Sequence, residues 1–167
     1  MDHSLVLRCA TASDAQNLAA LAIQVWLHTY ATEGIRQDIS AYVLSEFTPA
    51  KFTDLISNPQ YQILVAEINH HLVAFAQIDF ASEQHPVLGS IELQTLYVQE
   101  VFTSQGLGSK LLAYCEEIIA SRTYWLSSNS NNHRAIAFYA RQGFVQHGVT
   151  YFEFGGNRYE NKVLVKA

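Results

Sequence analysis

Hydrophobic and polar residues follow two different rhythms along this chain, one typical of strands and one typical of helices. Runs rich in β-branched and aromatic residues, bounded by turn residues, predict strands. Stretches with apolar residues three and four positions apart predict helices. The predicted strands are 4–10, 61–68, 72–80, 90–98, 123–128, 144–154 and 158–166. The predicted helices are one capped by Thr11 and broken by Gly34, one at about 38–47, one from Pro49 to before Asn58, one at about 106–121 and one at about 132–142.

The order of these elements predicts the fold class. Strands and helices follow each other as β-α-α-α-β-β-β-α-β-α-β-β. Hairpins pair neighbouring strands antiparallel, and helical connections cover the faces of the sheet. The sequence therefore predicts an α/β fold with a mixed, mainly antiparallel central sheet of about seven strands, flanked by helices on both faces. The length of 167 residues predicts one domain, 1–167.

Composition narrows the class of protein. Hydrophobic residues make up 49% and charged residues 15%, as in globular proteins, and the net charge is −5. We expect no nucleic-acid partner, because no broad cationic face is implied. We expect no membrane segment, because no apolar run is long enough, and no signal peptide, because polar residues at 2–4 interrupt the start. A cytoplasmic protein with buried free thiols at Cys9 and Cys115 is the expectation.

Residues 103–110, T-S-Q-G-L-G-S-K, join the strand 90–98 to a helix. Glycines admit positive φ and let a ligand approach the backbone, while free N–H groups at a helix start attract anions. The loop therefore predicts either a phosphate site or an ordinary turn that starts a helix without a ligand. A Walker A loop would need Lys and Ser or Thr directly after its glycine, and a dinucleotide fingerprint would need glycine at Leu111. Both nucleotide interpretations fail on these residues.

A second motif follows the loop by one helix and one strand, N-N-H-R-A-I-A-F-Y-A-R-Q-G-F at 131–144. Together, V-x7-G-L-G-S-K-L-L and N-x2-A-x2-F-Y-x3-G-F resemble the GNAT superfamily of N-acetyltransferases, strongly over residues 90–144. The amino-terminal half is loosely similar to the bacterial polyamine-acetyltransferase-like branch, through L-H-T-Y, F-T-P-A-K-F and L-V-A-E. One position departs from the family pattern. The usual Arg or Gln three residues before the first glycine is Thr103, which we expect to weaken phosphate binding.

The resemblance implies acetyl-CoA as co-substrate. In the family, the glycine loop cradles the pyrophosphate, and the strand before it pairs its backbone with the pantetheine amides. An N–H at the position of Val98 polarises the thioester carbonyl, as an oxyanion hole does. Asn132 would cap its helix and also hydrogen-bond the pantetheine. The implied cofactor-binding residues are Leu96, Tyr97, Val98, Ser104, Gln105, Gly106, Leu107, Gly108, Ser109, Asn132 and Tyr139.

Two residues carry the implied chemistry, Tyr139 and Glu92. In the family, the hydroxyl at the position of Tyr139 protonates the departing sulfur. Glu92 lies six residues before Val98, where many relatives carry a base, and shares its face with Gln94 and Val98 if no bulge intervenes. Desolvation would raise the pKa of its carboxyl towards neutrality. Two alternatives stay open, a solvent-facing or salt-bridged Glu92 and a Tyr139 that is only a buried helix aromatic.

The acceptor side is expected between the first two helices, at about 26–46. Trp26, Tyr30 and Glu33 are its predicted substrate-binding residues, since aromatic rings line alkyl chains or engage cations and carboxylates attract them. The resemblance to polyamine acetyltransferases points the same way. We therefore predict a small primary amine with a second positive charge, attacked in a ternary complex. The alternative is that the acids of this segment, Glu33, Asp38 and Glu46, only solvate an exposed helical hairpin.

Other functions stay open. The alternatives are an acyl-CoA-binding module without catalysis and an acetyltransferase of protein amino termini or lysines; keeping both Tyr139 and Glu92 favours an enzyme. A homodimer is possible. No metal is expected, because His70 and His71 lie in a hairpin turn and the other histidines show no ligand spacing.

Overall fold

The computed structural model describes residues 4–120 and 122–167, and within them the predicted elements are present. The strands are Leu5–Cys9 (β1), Tyr61–Ile68 (β2), His71–Asp79 (β3), Glu92–Val98 (β4), Tyr124–Asn129 (β5), Val145–Phe154 (β6) and Asn157–Lys166 (β7). The helices are Ala15–Tyr30 (α1), Gln37–Glu46 (α2), Pro49–Ser57 (α3), Leu107–Ile119 (α4) and His133–Arg141 (α5). Residues 2 and 3, used in the signal-peptide argument, and Ser121, the predicted end of α4, lie outside the described residues.

The strands form one mixed sheet in the order β1-β2-β3-β4-β5-β7-β6. Neighbouring strands run antiparallel except β4 and β5, which are parallel because α4 connects them. Their pairing is confined to Glu92 opposite Trp125. Beyond that pair the two strands separate, so the sheet contains a wedge that opens towards the carboxyl ends of both. The predicted fold class is confirmed.

Each face of the sheet carries its own core, which the alternation along β3 shows. Phe75 packs with Leu18 of α1 and Phe52 of α3, with its ring centroid 5.8 Å from that of Phe52. Ile78 faces the other way and packs with Leu111 of α4. We call these the α1 face and the α4 face. Truncating a fully buried leucine such as Leu111 to alanine would cost about 2–5 kcal/mol.

The start of the chain differs in detail from the prediction. A short 3-10 turn, Ala12–Asp14, precedes α1, and the Asp14 carboxylate accepts a hydrogen bond from the Thr11 backbone N–H at 2.7 Å. Cys115 is buried, and burial raises the pKa of its thiol to about 12, but Cys9 is exposed on the edge strand β1. The prediction of a buried Cys9 is therefore wrong. Edge position, which sequence pattern does not reveal, is the reason.

No helix within the described residues is long and apolar enough to cross a lipid bilayer.

Candidate active site

The wedge between β4 and β5 opens into a cleft of about 1560 Å³. One wall is the start of α4 with the loop before it, and a second is α5. The far end lies between α1, α2 and the β6–β7 hairpin. Most of the residues predicted for the site line it: Trp26, Tyr30, Glu33, Leu96, Tyr97, Val98, Ser104, Gly106, Gly108, Ser109, Asn132 and Tyr139. One continuous cleft therefore joins the predicted cofactor and acceptor sites.

A bulge shapes β4. Leu93 pairs with Ile78 of β3, and Thr95 pairs with the adjacent Gln77, so Gln94 is an extra residue without a partner in the pairing. Its side chain lies on the α1 face, where its Oε1 accepts a hydrogen bond from Gln77 at 2.7 Å. The bulge breaks the alternation assumed from sequence. Glu92 still shares a face with Gln94, whereas Val98 turns to the α4 face.

The backbone of β4 presents polar groups to the opening wedge. The N–H of Gln99 bonds to the carbonyl of Val73 on β3 at 2.9 Å. Because backbone groups alternate in direction along an antiparallel strand, the N–H groups of Val98 and Leu96 point away from β3, into the wedge. The backbone of Tyr97 faces β3, and its ring packs against Phe75 at 5.6 Å on the α1 face. The backbone groups of Val98 and Leu96 can therefore hydrogen-bond an extended ligand in the wedge.

The loop before α4 has the conformation its glycines predict. Ser104 and Gly106 have φ of 61° and 79°, so two left-handed residues turn the chain into the helix. The first N–H groups of α4, at Leu107, Gly108 and Ser109, have no acceptor within the helix. Ser109 lines the cleft, whereas the Leu107 side chain is buried in the core. The Gln105 side chain is exposed and donates back to the carbonyl of Val101 at 3.3 Å.

Gly108 also packs against α5, in addition to its predicted place at the loop. A Cβ atom at this position would lie 3.4 Å from the Phe138 ring of α5. An added methyl group would therefore just touch the ring, and a side chain that extends further would push against α5.

Tyr139 lies on the third turn of α5 with a nearly buried side chain, 8% exposed. Its ring packs edge-on against Phe138 and Phe144, at 5.1 and 5.3 Å between centroids. Among the described residues its hydroxyl has no hydrogen-bond partner, yet the side chain lines the cleft. Burial raises the pKa of the hydroxyl, so Tyr139 is protonated at neutral pH. An acid for a leaving thiolate must be protonated and free to donate, and the Tyr139 hydroxyl meets both conditions.

Glu92 lies at the closed end of the wedge rather than along the cleft wall. Its Oε2 accepts a hydrogen bond from Ser82 at 2.7 Å, and Asp79 is its partner across β3 and β4. Burial raises the pKa of its carboxyl, more than the Ser82 hydrogen bond lowers it, and the charge of Asp79 adds to the rise. Glu92 forms no ion pair within the described parts of the chain. Its base role remains a prediction.

One charged cluster at the cleft was missed from the sequence. Glu100 follows β4 and receives two hydrogen bonds from the Arg134 guanidinium, at 3.2 and 3.0 Å. His28 of α1 lies 3.4 Å from the same carboxylate. Hydrogen bonding to Arg134 lowers the pKa of Glu100. These residues come from three separate parts of the chain, and no local motif predicts that they meet.

The far end of the cleft is aromatic. Trp26, 3% exposed, packs against Tyr30 and Tyr42 at 4.7 and 4.8 Å between centroids, and Tyr159 of β7 meets Tyr30 at 5.7 Å. Phe152 of β6 closes the cluster. The rings therefore form one packed wall, in which Trp26 is mostly a support for the others.

The acidic residues near this end are mostly neutralised. Asp38 pairs with Arg36 at 3.1 Å, and Glu46 pairs with Lys51 at 3.3 Å. Among the described residues, Glu33 has no ion-pair partner. One free carboxylate thus remains at the mouth of the acceptor side.

Asparagines mark the carboxyl end of the wedge. The Oδ1 atom of Asn132 accepts a hydrogen bond from the N–H of Ala135 at 3.1 Å, so the predicted cap of α5 is present. On the α1 face, Asn129 of β5 pairs with Asn161 of β7 in the sheet, and both line the cleft. The Oδ1 atom of Asn161 is buried and has no hydrogen-bond partner within the described residues.

The described residues contain no group of three or more His, Cys, Asp and Glu that would hold a metal ion.

A parallel strand pair that separates beside a glycine turn, with a protonated tyrosine at the opening, defines the class of acetyl-CoA-dependent acyltransferases. Residues 25–144 match the Acetyltransferase (GNAT) family, and the chain belongs to that family. An uncharacterized N-acetyltransferase of Mycobacterium tuberculosis is 27% identical over 158 residues, covering 92% of this chain and 97% of the relative.

Two solved structures share the fold. The PaiA N-acetyltransferase of Thermoplasma acidophilum, in complex with coenzyme A, superposes with a TM-score of 0.80 at 21% identity, covering 98% of each chain. The YncA protein of Salmonella typhimurium, a structure with its cofactor acetyl-CoA, gives a TM-score of 0.66 at 18% identity over 97% of this chain and 92% of that one. One neighbour thus holds coenzyme A and the other acetyl-CoA.

Proposed function

We propose that the protein moves an acetyl group from acetyl-CoA to the primary amine of a small, polyamine-like molecule by direct attack in a ternary complex. One observation carries the proposal. A single cleft runs from the helix start of α4, past Tyr139, to the aromatic wall around Tyr30. Both substrates therefore reach the same opening in the sheet.

The glycine loop holds the pyrophosphate in this proposal. Free N–H groups at the start of α4 point to one place, and the left-handed turn at Gly106 brings the backbone there without a side chain in the way. The pantetheine arm then extends inward along β4. Val98 and Leu96 present their backbone edges to it, as a neighbouring strand would.

The order of groups along the arm decides which N–H polarises the thioester. Val98 is the first wedge-facing residue met from the loop, and both amides of the arm precede its sulfur. The thioester therefore lies deeper than Val98, and we assign its carbonyl to the N–H of Leu96 instead. Glu92 supports this assignment. Because Gln94 is bulged, Val98 lies five strand steps from Glu92, roughly 17 Å, whereas Leu96 lies only three steps away, roughly 10 Å.

The residues then share the proton transfers. Glu92 takes the proton of the attacking amine through ordered water and later releases it to solvent; its raised pKa makes it a stronger base than an ordinary carboxylate. The amine nitrogen forms a bond to the carbonyl carbon while the carbon–sulfur bond breaks. Tyr139 gives its proton to the departing sulfur and regains one from solvent. The products are the N-acetylated amine and CoA.

The acceptor class rests on the far end of the cleft. Glu33 attracts a cationic amine at the mouth, and Tyr30 and Tyr159 offer ring surface to its alkyl chain. The loose similarity to polyamine acetyltransferases supports the same class. Pairing of Asp38 with Arg36 leaves less negative charge than the sequence suggested, so we expect a modest electrostatic contribution.

The test measures CoA release with acetyl-CoA and four acceptors at low and high salt. The acceptors are spermidine, an arylalkylamine with one positive charge, an amino acid and a lysine peptide. We expect the highest kcat/KM for spermidine and a fall of a few-fold at high salt, because screening weakens attraction by exposed charges. A Glu33→Gln variant should lose that salt dependence, whereas Glu46→Gln, whose carboxylate is already paired, should keep it. Preference for the peptide would point to a protein acetyltransferase, and no release with any acceptor would point to a silent acyl-CoA-binding module.

A further inference from the structure

The unpaired amide oxygen of Asn161 is the polar group in the cleft that most needs an explanation. Its Oδ1 atom is buried and lacks a hydrogen-bond partner within the described residues. Leaving a buried acceptor unpaired costs about 1–3 kcal/mol, and such atoms are rare in folded proteins. By contrast, the amide of Asn129 beside it is used, because its Oδ1 accepts from the N–H of Asn131 at 2.9 Å.

The position of Asn161 in the sheet places it on the acceptor side. Residues 163 and 165 of β7 pack with Trp125 on the α1 face, and Tyr159 packs with Tyr30 of α1 on that same face. Because side chains alternate along a strand, Asn161 points to the α1 face as well. Tyr139 belongs to the core of the α4 face. Asn161 and the predicted acid therefore lie on opposite faces of the wedge.

The depth of Asn161 matches that of the proposed thioester. Glu92 and Trp125 mark the closed end, where β4 and β5 pair. Four strand steps further along β5 is Asn129, and three steps further along β4, because Gln94 is bulged, is Leu96. Asn161 pairs with Asn129 across one strand spacing, about 4.8 Å. The Asn161 side chain thus lines the cleft beside the opening, near the level proposed for the acetyl group, and a turn of its amide about χ2 would present Oδ1 to the cleft.

Neighbouring groups are polar but uncharged. Gln94, Ser127 and Asn129 line the cleft on the α1 face, and burial raises the pKa of Tyr30, a rise that the polar side chain of Asn129 partly offsets. Among these polar residues of the described chain, Asn161 alone has a buried side-chain oxygen without a hydrogen-bond donor. A donor N–H arriving from the α1 face would complete it.

We infer that Asn161 binds the attacking amine of the acceptor. Its Oδ1 atom accepts a hydrogen bond from an N–H of the amine and so directs the nitrogen's lone pair at the thioester. This inference rests on the proposed function and names the residue that positions the acceptor in that same site. The ligand it selects is a primary amine or ammonium, since a tertiary amine without an N–H offers nothing to Oδ1 unless it is protonated.

Asn161→Leu tests the inference, because leucine has a similar shape and no acceptor. With spermidine and with the arylalkylamine, the amine KM should rise about 10- to 100-fold, the range for losing a hydrogen bond to a charged group. The KM for acetyl-CoA should stay unchanged. The melting temperature should stay equal or rise, because an unpaired buried acceptor has been removed. A residue that only supported the fold would lower it.

The matched control is Thr150→Val, which removes a hydroxyl on β6 directly opposite Asn161 and outside the cleft lining. We expect wild-type kinetics from it. Asn161→Asp keeps the oxygen and adds a charge, so it should lower the amine KM at low salt even if the leucine variant does not fold. An unchanged amine KM in both Asn161 variants, or a raised acetyl-CoA KM in the leucine variant, would overturn the inference.

Failure of the proposed function has a different signature. A wild-type protein that binds acetyl-CoA but acetylates neither amine refutes the transfer itself, and the assignment of Asn161 falls with it.

Discussion

At the level of single residues, the proposed chemistry depends on two side chains whose pKa values burial shifts in the same direction. The pKa values of Tyr139 and Glu92 are both raised by loss of solvent. For the tyrosine this preserves the proton that it is proposed to donate. For the glutamate, the raised pKa of the carboxyl lies closer to that of the amine that it is proposed to deprotonate. One physical cause thus prepares an acid and a base.

Tyr139→Phe keeps the ring and removes the hydroxyl. We predict that kcat falls by about 10- to 1,000-fold, the range for losing one proton-transfer group. Binding of acetyl-CoA should stay unchanged, because the ring still packs against Phe138 and Phe144. Steady-state kinetics with a binding measurement separate the two effects. Tyr151→Phe, an exposed ring outside the cleft lining, is the control, and a fully active Tyr139→Phe protein would remove the acid role.

Glu92→Gln tests the base through pH. The wild-type kcat/KM should rise with pH as Glu92 loses its proton, over a range above the ordinary carboxyl pKa of about 4.3. The variant should be slower and lack that rise. Glu83→Gln, an exposed acid in the loop before β4, should behave as wild type. An unchanged pH profile in Glu92→Gln would show that another group, or water alone, takes the proton.

The same variant carries a signature in stability. Because the folded-state pKa of Glu92 is raised, the protonated form is favoured by folding. Its contribution is therefore fully present below the unfolded-state pKa and is lost as pH rises through the folded-state value. Glutamine stays neutral, so the melting temperature of Glu92→Gln should gain on wild type as pH increases.

At the scale of elements, the start of α4 and the bulge in β4 decide where both substrates lie. The helix start supplies N–H donors, and Thr103 stands where relatives carry Arg or Gln. Gly108 is an unsuitable probe of this loop, because a larger residue would also push against Phe138. Adding the absent cation is a cleaner change.

Thr103→Arg should lower the KM for acetyl-CoA by about 3- to 10-fold, through charge-assisted hydrogen bonds to the pyrophosphate. High salt should reduce the gain. Gln105→Arg adds the same charge two residues away on an exposed side chain that does not line the cleft, so it should change the KM little. An equal effect of both variants would mean general attraction, and no effect of Thr103→Arg would count against the pyrophosphate site.

At the scale of the whole molecule, local pattern predicted the elements and the resemblance predicted the cofactor side. The strands and helices agree with prediction because each is bounded by turn residues that the sequence shows, such as Gly34 and Pro49. Long-range contacts were beyond reach. The meeting of Glu100 with His28 and Arg134, and the unpaired oxygen of Asn161, arise only when distant segments pack.

The bulge in β4 explains the remaining difference. Alternation in sequence placed Glu92 and Val98 on one face, and one extra residue, Gln94, reversed that relation. A bulge depends on how two strands pair rather than on the residues of one strand. For the same reason, the pairing of Asp38 with Arg36, which reduces the free negative charge near the acceptor, was not foreseen.

Transfer of an acetyl group to a small amine in this cleft is the proposal on which the other assignments depend. The most direct measurement incubates the protein with acetyl-CoA and spermidine and quantifies CoA and N-acetylated spermidine by mass spectrometry. We expect equal amounts of the two products, and a strong loss of both with Tyr139→Phe. CoA without acetylated amine, or no product from a folded protein that binds acetyl-CoA, would contradict it.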